Sequence, residues 1–174
     1  MFKKALVIFA LACLGGAALA GVAYSTSKGD QPQTRLSIHA NSGKKLMVIT
    51  ETDAATFTNT TLAALAVDRI TVPATGNYVA VVRFSAESKC DAVNWCTARI
   101  LVDGVEANPK VGPDFAFDSP GGDQYQSLSM DRTSDVIAGT GTARNVPVEV
   151  DIAVVGGGSW RLDGWSVVTE LFKA

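Results

Sequence analysis

The chain has 174 residues, 47% hydrophobic and 18% charged, with fifteen basic residues against seventeen acidic ones. That is enough apolar sequence for one domain with a real core. The slightly acidic balance excludes a nucleic-acid surface, which needs clustered Lys and Arg.

In chain order, residues 1–20 read as a secretory signal peptide. Lys3 and Lys4 make a short positive region, Ala5 to Leu14 is an uncharged apolar run, and Ala18-Leu19-Ala20 is a small-x-small cleavage site. Gly21-Val22-Ala23 is a second such site. Two other outcomes stay open. The uncharged stretch continues to Ser27, long enough for a retained membrane anchor. Cys13, after Ala10-Leu11-Ala12, partly resembles a lipidation site. Each outcome implies export, to the periplasm or the exterior. Cleavage removes two lysines, leaving thirteen basic residues and a net charge of −4. It also removes Cys13, leaving Cys90 and Cys96 as an even pair that reads as a disulfide in an oxidising compartment.

Residues 21–44 are small and polar and read as a flexible lead-in to a single domain over 45–174. Leu46 to Ile49, Ala66 to Val72, Tyr78 to Phe84, Thr97 to Val102, Phe115 to Phe117, Tyr125 to Arg132, Val148 to Val154 and Trp160 to Leu171 read as strands. Tyr78, Ala80, Val82 and Phe84 share one face. Val148, Val150, Ile152 and Val154 form the clearest stripe, which assigns Glu149 and Asp151 to the wet side. Asp103-Gly104 reads as a hairpin turn, and Asp163-Gly164 as a bend in the last strand. Only Thr60 to Val67 has helical character, as one or two turns or a strand edge. Eight to ten short antiparallel strands imply an all-β sandwich of jelly-roll type.

The order of features resembles the globular heads of the complement and tumour-necrosis-factor superfamily. Pro73-Ala74-Thr75-Gly76-Asn77-Tyr78 looks like the start of their central strand, and Ile100 to Gly104 like the strand and turn that follow. Ala138-Gly139-Thr140 and Gly164 to Val168 look like their last turn and final strand. Ser85 to Cys90 and the Val-Asp-Gly turn are also similar to small exported bacterial proteins of unassigned function. The resemblance implies a jelly roll and, from its eukaryotic members, a homo-oligomer such as a trimer, in which Trp165 or Phe172 would be buried between subunits.

Catalytic sets are scarce. The single His39 lies in the lead-in, both mature cysteines are expected to pair, and no nucleophile elbow, phosphate loop or His-rich metal motif occurs. Gly156-Gly157-Gly158 joins two strands, so a dinucleotide loop lacks its helix. Asp114, Asp118 and Asp123 are the carboxylates that could serve a hydrolase or lyase, or cradle calcium; turn chemistry alone also explains them. Trp95, inside the disulfide loop with Asp91 and Asn94 beside it, is the best aromatic platform, and Tyr125 the next. Trp160 and Trp165 read as core. Asn59-Thr60-Thr61 is a glycosylation sequon of the sort that arises by chance. The leading expectation is a non-catalytic exported module, without cofactor, that binds a glycan or another envelope or matrix component. A structural homo-oligomer and a carboxylate-dependent polysaccharide hydrolase or lyase are the alternatives.

Overall fold

The structure, a computed structural model, describes residues 34–39, as backbone, and 45–174. The expected signal peptide, Cys13 and residues 21–33 lie outside the described residues. Twelve strands form there: β1 (Thr34–His39), β2 (Lys45–Thr50), β3 (Ala55–Phe57), β4 (Ala63–Val72), β5 (Asn77–Ala92), β6 (Trp95–Val102), β7 (Val105–Glu106), β8 (Ala116–Asp118), β9 (Gln126–Thr133), β10 (Ile137–Ala138), β11 (Arg144–Val155) and β12 (Gly158–Lys173). The surplus over the expected eight to ten is made of β1 and three pieces of two or three residues, too short to show a period in sequence.

All pairings are antiparallel. One sheet runs β1-β2-β12-β5-β10, with β3 also on β12 and β9 also on β5. The other runs β4-β11-β6-β7, with β8 also on β6. With β1, β3, β7 and β10 set aside, eight principal strands remain. Numbered along the chain, they lie in the order 1-8-3-6 in the first sheet and 2-7-4-5 in the second, the winding of a jelly roll. The all-β sandwich expected from the strand pattern is the observed fold.

Alternation builds the core. Tyr78, Ala80, Val82, Phe84 and Ala86 of β5 face inward with Leu162, Val167 and Leu171 of β12. They meet Val146, Val148, Val150, Ile152 and Val154 of β11, and all are buried. Trp160 is 0% exposed and Trp165 2%. Complete burial of a large apolar side chain is worth roughly 1.5–3 kcal/mol. The expected turn at Asp103-Gly104 joins β6 to β7, both residues having positive φ, and the expected bend in β12 is a register shift between Asp163 and Ser166.

Three expectations change, and one open alternative is decided. The lead-in is not featureless, because residues 34–39 pair with the whole of β2. Of the alternatives for Thr60 to Val67, the strand edge holds from Ala63 on: β4 is the edge of its sheet, and its backbone bonds to β11 override the local helical preference of Ala and Leu. Trp165 is core and offers nothing to another subunit. Asp151 is 3% exposed, because Arg99 of the neighbouring strand covers it.

Candidate functional site

At one pole of the sandwich, β5 of the first sheet passes to β6 of the second through Val93 and Asn94. The Cys90–Cys96 disulfide closes that crossing, with Cα atoms 5.9 Å apart, and so staples the two sheets together. The connection between β11 and β12 lies against it: Val93 N–H donates to the Gly157 carbonyl at 2.9 Å and Asn94 N–H to that of Val155 at 3.1 Å. This contact is why glycines occur there. A Cβ on Gly158, whose φ is +109°, would stand 2.3 Å from the Asp91 carbonyl oxygen, and one on Gly156 would stand 2.8 Å from the Asn94 amide.

Behind the staple runs a buried polar chain. Trp160 Nε1–H donates to Ser88 Oγ at 2.8 Å, and Ser88 Oγ–H donates to Asp118 Oδ2 at 2.5 Å. Ser119 N–H donates to the other carboxylate oxygen at 2.7 Å. Ser88 and Asp118 are 0% and 5% exposed. Each buried polar group is thereby satisfied. Asp118 therefore serves the interior, whereas Asp114 and Asp123 are exposed. Among the described residues, no three His, Cys, Asp or Glu side chains converge on a position that could hold a metal ion.

Trp95 opens β6 next to Cys96 and is half-buried. Its Nε1–H donates to the Pro113 carbonyl at 3.1 Å, in the 3-10 turn Gly112–Asp114. The rim thus joins Trp95 to the start of the Asp114–Asp123 segment. It does not join Trp95 to the other expected site residues. Asp91 alternates to the outer side of the first sheet with Lys89, 3.8 Å away. Tyr125 is on that side too, its ring 5.8 Å from the Arg161 guanidinium. Trp95 faces outward from the second sheet, so the thickness of the sandwich separates these groups. Asn94 stays at the turn, packed on Gly156.

On its own face Trp95 has neighbours that proximity in sequence does not show. The ladder of β6 and β11 pairs Trp95 with Val155, Thr97 with Ala153, Arg99 with Asp151 and Leu101 with Glu149. Arg99 donates from both Nε and Nη2 to Asp151 Oδ2. Glu149 hydrogen-bonds to Asp151. Burial first, then that bond and the like charge, push its carboxyl up to about 7, against the pull of Arg99. Two carboxyls in hydrogen-bond contact stand too close to flank a sugar ring, for which glycosidases separate them by about 5 Å or more.

The opposite pole carries a cleft of about 260 Å³, lined by Val102, Asp103, Val105, Val136, Ile137 and Arg144 among others. Its rim is tied by surface ion pairs, Arg144 to Asp103 at 2.8 Å and Lys110 to Asp135 at 2.9 Å. The bonds from Lys110 and Asn108 hold the Asp135 carboxyl below its ordinary range. The cleft draws on segments as far apart as Val102 and Arg144, and two of its lining residues, Val105 and Val136, are exposed large hydrophobics.

Asn59 is a clamp. Its side-chain amide donates to the Ile152 carbonyl at 2.6 Å and to that of Thr61 at 3.0 Å, so the sequon nitrogen is committed within the fold. Among the described residues no helix is long and apolar enough to cross a membrane. No protein-family model matches the chain, and no curated protein matches it.

Proposed function

We propose that this protein is an exported, non-catalytic binding module that presents Trp95 to a glycan of the cell envelope or extracellular matrix. The observation that carries this reading is the fixation of the ring. Trp95 adjoins the disulfide that staples the sheets, its N–H is held by Pro113, and the side chain is still partly open. A ring held in place before binding loses little conformational freedom on contact, and an amphipathic aromatic suits the flat apolar face of a sugar. The signal-like N-terminus and the disulfide support export. A glycan array probed with the protein and with Trp95→Ala tests the site. A loss of at least about tenfold in the variant is expected for an aromatic anchor, and undiminished binding rejects the assignment.

One observation favours homo-oligomerisation as a second reading. The outer side of the first sheet carries Leu46, Val48, Val79, Val81, Val168 and Phe172, all half-buried and on adjacent strands. Such a surface suits a second copy of the chain. Light scattering decides it: a monomer mass at working concentrations eliminates this reading.

A further inference from the structure

We propose that residues 109–115 form a strap along one side of the sandwich, clasped shut by Glu106 and pushed open by the buried Arg132, and that this strap sets how firmly the Trp95 ring is held. The proposal deepens the glycan reading of Trp95 and rests on it for its use in binding. The strap starts where Asn108, after β7, and Thr133 of β9 exchange backbone hydrogen bonds between the two sheets. It ends where Ala116 of β8 pairs with Thr97 of β6. Side chains hold it between these fixed ends.

The Glu106 carboxylate is the clasp. Its Oε1 accepts from the N–H groups of Val111 and Gly112 at 2.7 and 2.8 Å. Gly112 has a φ of +57°, and successive N–H groups in such a turn converge on one anionic oxygen. The next residue, Pro113, supplies the carbonyl that holds the Trp95 indole N–H. The disulfide thus fixes the backbone beside Trp95, and the strap fixes its ring. Arg132 opposes closure. It is 8% exposed, with its guanidinium 4.4 Å from the centre of the Phe115 ring. Nη1 donates to the Asp131 carbonyl at 3.0 Å, but Nη2 is buried without a partner in the chain. Burial outweighs the attraction of Glu106 and Asp131 and pulls the guanidinium below its ordinary value. A buried charge with an unfilled donor is costly, and lifting the strap returns it to water. The exposed Lys110–Asp135 pair adds little to closure. Trp95 therefore keeps its hydrogen bond only while the clasp prevails over Arg132.

Solvent exchange measured by NMR tests this at the Trp95 indole N–H and the Val111 and Gly112 amides, with the Trp160 indole N–H as a core reference. Glu106→Ala should accelerate the three strap signals together by about tenfold, the factor for losing hydrogen bonds to a charged group. Trp160, bonded to Ser88 in the core, should keep its rate. Glu106→Gln retains an acceptor oxygen and should restore most of the protection. Arg132→Met fills similar space without a charge and should slow the strap signals by a similar factor. A Trp95 rate that stays still while Val111 and Gly112 accelerate overturns the coupling. Trp160 accelerating in step overturns it too, because the whole fold has then loosened. Should Glu106→Ala fail to fold, Arg132→Met decides alone: equal or faster exchange rejects the strap as drawn. Exchange needs no ligand, so a failure of every sugar to bind rejects the Trp95 reading alone.

Discussion

The two poles of the sandwich are built on different principles. At the disulfide pole the chain crosses between sheets beneath a covalent staple, two turns lock together through glycines, and a Trp–Ser–Asp chain of hydrogen bonds lies inside. At the cleft pole, turns meet through backbone bonds, Gly139 N–H to the Gly76 carbonyl and Gly141 N–H to that of Ala74, and solvent-exposed ion pairs rim an apolar hollow. Buried, fully satisfied contacts hold geometry tightly, whereas exposed ion pairs contribute little and are screened by salt. The stapled pole is therefore the one suited to holding an aromatic ring still, and the cleft pole the one with latitude to move.

The comparison is tested first where the largest effect is expected. Trp160→Ala removes a fully buried ring that packs on Phe117 with centroids 5.8 Å apart, and it also strips Ser88 of its donor. Chemical denaturation should show a loss of about 3–5 kcal/mol. Replacing Cys90 and Cys96 together by Ala should cost roughly 2–3 kcal/mol, the range for closing a short loop. Hydrogen exchange should then accelerate around Val93, Asn94 and Gly157 while amides near Ile137 keep their protection. Uniform acceleration at both poles would show that the staple stabilises the whole sandwich rather than its own end. Asp118→Ala leaves Ser88 and the Ser119 N–H without an acceptor and should cost about 1–3 kcal/mol.

The two poles also differ in how far they were legible in the sequence. Wherever a contact lies along one strand, alternation found it: the inward stripes from Tyr78 to Phe84 and Val148 to Val154 are core, and the cysteine pair is the staple. Wherever a residue's fate depends on a strand distant in sequence, composition misled. Asp151 looks like a solvent-facing residue until Arg99, fifty-two positions earlier, is placed beside it. Asp118 looks like a turn carboxylate until Ser88 is known to point at it from the other sheet. Asp91 belongs with Trp95 by proximity to the disulfide, and Tyr125 stands beside it in sequence only as the second aromatic platform, yet the crossing between sheets puts both on the far side. The cleft has no sequence motif because several short loops enclose it jointly.

Between the poles, the Glu149 carboxyl should make stability depend on pH. The Glu149 carboxyl has an ordinary value of 4.5 and is raised to about 7 in the fold, so the native state binds its proton more tightly than the unfolded chain does. Below about pH 4.5 both states are protonated and nothing is lost. As pH rises from about 4.5 to about 7 the unfolded chain ionises first, and stability falls; above about 7 the loss is complete and constant. With allowance for solvent screening at this partly open site, the fall is on the order of 1 kcal/mol. Glu149→Gln should flatten that segment of the stability profile. An equal slope in the variant would assign the dependence to other groups.

The smallest effect is expected at the cleft, and there it discriminates most. Arg144 and Asp103 bond at 2.8 Å with side chains 35% and 40% exposed, and that bond raises the guanidinium above its ordinary value. Pairs so open to solvent do not anchor a fold. Arg144→Gln should leave the melting temperature unchanged while altering the cleft itself, seen as chemical-shift changes confined to Val102, Val105, Val136 and Ile137. Raised salt should reproduce those shifts in the native protein, because screening loosens an exposed pair without removing it. A clear drop in melting temperature, or shifts spreading to the amides of Val93 and Asn94, would mean that the two poles are mechanically coupled through β5 and β11. In that case the cleft, too, would bear on how Trp95 is held.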